Sequence, residues 1–139
     1  MSDLLEFGKT ILKNQPFSAL LGTELDVFEP GNAVLTLQVR EELKQQHGFV
    51  HGGVVSYLAD NALTYAGGSV LGDSVTSEYK INYLRPAIGE KLVARATVLS
   101  SGKNQAVCQC SVFVLGEGGE RTVAVAQGTI NKVEPKSGS

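Results

Sequence analysis

The sequence predicts an α+β domain in which a curved, mostly antiparallel sheet wraps one long, largely buried helix. Three observations carry that expectation. One segment, Gly52 to Gly67, repeats its apolar residues at helical spacing over a broad face. The chain on either side alternates apolar and polar residues in runs bounded by glycine, proline and asparagine. A length of 139 residues, with 42% hydrophobic and 19% charged side chains, suits one domain with a modest core and leaves no room for a second.

In chain order, the leader (residues 1–22) carries Leu4, Leu5, Phe7, Ile11, Leu12, Phe17, Leu20 and Leu21, a partly helical pattern broken at Asn14 and Pro16. One or two short helices are expected there. Alternation from Thr23 to Val39, around the turn Glu29-Pro30-Gly31-Asn32, reads as a hairpin. A polar connection, Glu41 to Gln46, precedes the helix, whose Val54, Val55, Leu58, Ala59, Ala62, Leu63 and Ala66 predict an element hydrophobic almost all round. Four strands should follow: Ser74 to Leu84, Lys91 to Ser101, Asn104 to Leu115 and Arg121 to Val133. Pro86/Gly89, Ser101/Gly102 and Gly116 to Gly119 supply the turns between them, and Lys136 to Ser139 should fray. A protomer this small leaves part of the helix and a sheet edge uncovered, which favours a homodimer.

Composition narrows the function. A net charge of −2 offers no basic surface for a nucleic-acid backbone. The opening MSDLLEFGKT lacks the pattern of a secretory signal, and no run approaches the roughly 20 apolar residues of a membrane helix, so no membrane role and a cytoplasmic setting are expected. Cys108 and Cys110 project from one face of a single strand and read as small buried hydrophobes. With only His47 and His51 to join them, no zinc-type spacing exists, and no metal is expected. The phosphate-cradling Gly-x-x-x-x-Gly-Lys-Ser/Thr motif is absent, so nucleotide hydrolysis has no support.

The informative stretch runs from Gln45 to Thr64. His51-Gly52-Gly53 stands where the helix begins, and the first N–H groups of a helix have no partner inside it. Glycine lets another group approach them closely, which makes a site for a carbonyl or oxyanion, or else simply a tight turn. One well-placed donor on developing negative charge is worth about 3 to 4 kcal/mol. Asp60 falls two turns into the helix among Leu58, Ala59, Ala62 and Leu63, where a carboxylate is costly to bury uncompensated. Ser56, Asp60 and Thr64 recur every four residues along one stripe, which opens either into a cleft between subunits or into solvent.

His51-Gly52-Gly53, then Leu58-Ala59-Asp60, then Tyr83-Leu84-Arg85-Pro86 and Gly89 resemble the PaaI-like branch of hotdog-fold thioesterases over nearly the whole chain. The resemblance implies hydrolysis of an acyl-coenzyme A to free acid and coenzyme A, with no cofactor beyond the coenzyme carried by the substrate. It makes Asp60 the nucleophile or general base, acting across a dimer interface, and Gly52 N–H the group that polarises the thioester carbonyl. Gln45 would position the thioester or the attacking water, and Thr64 and Thr76 occupy hydroxyl positions of the site. His51 and Gly53 are assigned to substrate binding, and Arg85, Lys103 and Lys132 to the coenzyme's phosphates. A homodimer assembling into a homotetramer is expected. The competing readings are a non-catalytic acyl-CoA-binding module and a hotdog hydratase or dehydratase.

Overall fold

A computed structural model describes residues 3–134. The leader forms α1 (Asp3–Lys13) and α2 (Pro16–Leu21), followed by the hairpin β1 (Glu24–Glu29) and β2 (Asn32–Gln38). After a 3-10 turn at Glu41–Leu43 come α3 (Gly52–Leu71), β3 (Ser74–Tyr83), β4 (Lys91–Ser101), β5 (Gln105–Gly116) and β6 (Gly119–Lys132). All six strands pair antiparallel in the order β1-β2-β4-β5-β6-β3, and α3 packs against every one of them. The fold is the expected α+β arrangement. Lys136 to Ser139, expected to fray, lie outside the described residues. Among the described residues no helix is long and apolar enough to cross a membrane.

The helix runs past Gly67 to Leu71 because Gly67 serves packing and does not stop it. A Cβ there would lie 2.7 Å from Ile130 Cβ, so glycine is what lets α3 approach β6. Gly72 ends the helix at φ 89°, its N–H donating to Gly68 O at 2.8 Å.

Within α3, apolar over most of its surface as expected, three faces can be told apart. Val55, Leu58, Ala59, Ala62, Leu63 and Ala66 are buried in the core, against strand residues such as Leu35, Leu92, Val112 and Ile130. Tyr57, Asn61 and Tyr65 turn toward the leader. Tyr65 Oη donates to Gly8 O at 2.9 Å, and its ring meets Phe28 edge-on with centroids 5.1 Å apart. Tyr57 Oη bonds Ser18 Oγ at 2.6 Å and donates to Thr23 Oγ1 at 2.8 Å. The leader is further tied down by Arg40, which donates to Leu21 O and Leu20 O at the end of α2. The third face, Ser56, Asp60 and Thr64, is polar and meets β3.

Strand β3 decides what that third face sees. The chain crosses from α3 to the far edge of the sheet, so β1 and β3 are its two edges and β3 pairs with β6 alone. Within β3, Thr76 opposes Ile130 and Glu78 opposes Thr129, leaving Ser77 as an extra residue. This bulge shifts the pleat by one position, so that Thr76 and Tyr79 both reach α3. The outer side of the edge remains open, with Val75 and Tyr83 more than half exposed.

Cys108 and Cys110 project into the core from β5, as their spacing predicts, and both are free. Burial in apolar surroundings pushes their thiols up to about 11 and about 12 respectively.

Candidate active site

The start of α3 leaves one backbone donor unspent. His51 caps the helix: its Nδ1 accepts from Gly53 N–H at 2.8 Å, which places the neutral ring's proton on Nε2. Val54 and Val55 N–H donate to His51 O at 2.9 and 3.4 Å. Of the first four N–H groups, that of Gly52 alone has no protein acceptor among the described residues. Gly52 borders a cavity of about 330 Å³ walled by Phe49, Val55, Tyr83, Leu84 and Pro86, with Arg85 also lining it. Tyr83 Oη donates to Gly52 O at 3.1 Å, fixing the tyrosine ring against the glycine.

Asp60 is half-buried and its carboxylate is held on one side only. Thr76 Oγ1 donates to Asp60 Oδ1 at 2.6 Å, and Thr64 Oγ1 lies 2.6 Å from Thr76 Oγ1 and 2.9 Å from Asp60 O. A threonine hydroxyl carries one proton. With the proton of Thr76 spent on the carboxylate, the one proton of Thr64 is shared between Asp60 O and Thr76 Oγ1, and the three residues form a relay ending at Oδ1. Oδ2 has no protein partner among the described residues.

The expected site residues fall into separate groups. Gln45 sits in a loop closed by Gly48 N–H on Gln45 O and Gln45 N–H on Phe49 O, both at 3.0 Å. Its side-chain oxygen accepts from His47 N–H, leaving the amide NH₂ as its remaining hydrogen-bonding group. Exposed Arg85 donates to Thr122 O at the cavity beside the start of α3. Exposed Lys103 lies in the β4–β5 turn, next to Lys132 by way of the Lys132 N–H bond to Asn104 O. That turn is at the other end of the helix, where Ser74 pairs with Lys132. The structure therefore joins Asp60, Thr64 and Thr76, joins His51, Gly52 and Gly53 with Arg85 nearby, and sets Lys103 apart from both. Among the described residues no group of three or more His, Cys, Asp or Glu is placed to hold a metal ion.

One pair escaped the sequence. Ser56, on the same stripe as Asp60, shares a hydrogen bond with Tyr79 Oη. The stripe marked Ser56; nothing in the alternation of β3 marked Tyr79, because the bulge puts it out of phase with Thr76.

Sheet order and helix placement are those of the hotdog fold. The thioesterase-superfamily model matches residues 47–120, which include Gly52 and Asp60. The acyl-coenzyme A thioesterase PaaI of Escherichia coli is 30% identical over 87% of this chain and 85% of its own. Human acyl-coenzyme A thioesterase 13 is 34% identical over 74% of this chain and 76% of its own. A thioesterase-family protein of Silicibacter pomeroyi superposes with a TM-score of 0.85 at 34% identity, covering 88% of this chain and 92% of its own. The chain belongs to the thioesterase superfamily, as a PaaI-like hotdog thioesterase.

Proposed function

We propose that the protein hydrolyses an acyl-coenzyme A in a site shared between two protomers. The observation that carries this is the separation of Gly52 from Asp60. They stand eight residues apart on one helix, about 12 Å along its axis at a rise of ~1.5 Å per residue. Reacting atoms must come within about 3 to 3.5 Å. A carbonyl held on Gly52 N–H is therefore out of reach of the same helix's Asp60. A second copy running antiparallel across the open β3 edge supplies the missing half to each site. The substrate class is supported by the relatives named acyl-coenzyme A thioesterases.

In this mechanism the thioester oxygen accepts from Gly52 N–H, where the positive end of the α3 dipole favours developing charge. Asp60 Oδ2 then follows one of two routes. It attacks the carbonyl carbon, expelling coenzyme A thiolate and leaving an acyl anhydride for water to cleave, or it takes a proton from the water that attacks. The Thr64–Thr76 relay fixes Oδ1 in both. Gln45 uses its free amide to orient the thioester or the water, and His51 and Gly53 shape the loop beneath it. Arg85 faces the coenzyme's phosphates at the cavity mouth. Lys103 and Lys132, at the far end of α3, join it only from the partner. The coenzyme arrives with the substrate, and the reaction calls for no other cofactor. A cytoplasmic setting belongs to the same reading, coenzyme A being an intracellular metabolite. So does a tetramer of two such dimers, supported by the exposed Phe7, Phe17 and Leu20 of the leader.

The test is thiol release from a panel of aryl and aliphatic acyl-CoAs by the native chain and by Asp60→Asn, shown to remain folded. Native turnover and a loss of about 100-fold or more in the variant are expected. Equal activity in both removes Asp60 from the chemistry. Binding without release by either indicates a non-catalytic acyl-CoA module, and substrate consumption without free thiol a hydratase.

A further inference from the structure

Ser56 lies midway between Gly52 and Asp60 on the polar stripe of α3. In a two-fold assembly that sets Gly52 of one protomer against Asp60 of its partner, the midpoint of the stripe faces its own copy. The edge strand agrees: Tyr79, the hydrogen-bond partner of Ser56, is at the centre of Ser74–Tyr83. An antiparallel β3–β3 seam that pairs the whole strand has its axis there.

The hydroxyl count then becomes informative. Ser56 and Tyr79 carry one hydroxyl proton each, and their mutual bond uses one. The second has no acceptor among the described residues, although both residues are half-buried. A symmetric copy docked over this stripe would cover that hydroxyl and offer it both an acceptor and a donor.

We propose that Ser56 and Tyr79, with the same pair from a second copy of the chain, form a four-hydroxyl cluster on the dimer axis. The cluster sets the distance between each Asp60 and the partner's Gly52. The proposal rests on the shared-site reading above. Ser56 and Tyr79 are positioning residues, acting through α3 and β3, where Tyr79 stands just past the bulge that aims Thr76 at Asp60.

Two measurements test it. A Ser56→Cys chain should form a covalent dimer under mild oxidation, because the proposed cluster sets the two side chains against each other and a disulfide then needs only Cα atoms roughly 4.4 to 6.8 Å apart. The native chain, whose Cys108 and Cys110 are both buried, and a Ser101→Cys chain should not. Tyr79→Phe, which keeps the ring and removes the hydroxyl, should remain dimeric and lose about tenfold in kcat with KM within about twofold. Failure of Ser56→Cys to cross-link in a chain that sediments as a dimer takes the pair off the axis. A monomeric native chain defeats the shared site itself. Cross-linking together with full kcat in Tyr79→Phe overturns the positioning role. A dimer that cross-links but releases no thiol from any acyl-CoA refutes the hydrolase reading and leaves the cluster's location standing.

Discussion

Thr76 Oγ1 stands 2.6 Å from Asp60 Oδ1 and donates its only proton there. One carboxylate oxygen is thus fixed before any substrate arrives, and the other is left to react. Hydrogen bonds to a charged group contribute about 1.5 to 3 kcal/mol. Thr76→Val keeps the shape and removes the donor, so kcat for thiol release should fall by about 10- to 100-fold with little change in KM. Thr76→Ser should recover most of it. A Thr76→Val enzyme with native kcat would show that the relay has no part in turnover.

The cap at the start of α3 makes a prediction of its own. His51 Nδ1 holds Gly53 N–H at 2.8 Å, and loss of an N-cap acceptor costs about 1 kcal/mol. His51→Ala should lower the urea midpoint accordingly, while His51→Asn, whose side-chain oxygen can accept the same bond, should recover it. If alanine is as stable as histidine, the bond is not what orders the helix start.

Alkaline pH should unfold the protein in two steps of sensitivity. Cys108 and Cys110 are raised from the usual 9.0 to about 11 and about 12, in both cases by burial. Tyr65 is raised from 10.0 to about 12, first by burial and then by the neighbouring Tyr57. Each group is an acid whose folded value exceeds its unfolded one. Its contribution is therefore fully present below the unfolded value and is lost as pH rises through the folded one. Urea midpoints should begin to fall above about pH 9 and continue falling toward pH 12. In a Cys108→Ala, Cys110→Ala chain the onset should move to about pH 10, where Tyr65 takes over. An unchanged onset would show that the buried thiols do not govern it.

Much of this architecture could be read in the chain. The period of α3 survives in Val55, Leu58, Ala62 and Ala66, and the β1–β2 turn falls at Pro30 and Gly31 as their residue types require. The end of α3 is not legible locally, because Gly67 looks like a stop until Ile130 is seen beside it. The Ser56–Asp60–Thr64 stripe was visible as spacing, but the choice between cleft and solvent depended on which strand lies against it. That strand, β3, reaches the helix only after crossing to the far edge of the sheet, a pairing set by tertiary contacts that no local pattern records. The family resemblance assigns His51 to substrate binding. Its work as a cap is a matter of one ring nitrogen, which a sequence does not orient.

The unpaired residue at Ser77 has a consequence for how this strand can change. It splices two half-strands that are out of step by one pleat, one aiming Thr76 and the other aiming Tyr79, Ile81 and Tyr83. Substitutions along β3 alter one contact at a time, but deleting Ser77 would restore a single phase and turn one whole half inside out. The strand therefore tolerates drift in its letters far better than in its length, and a chain of this kind that lost one residue here could not keep both the Asp60 relay and the Ser56 contact.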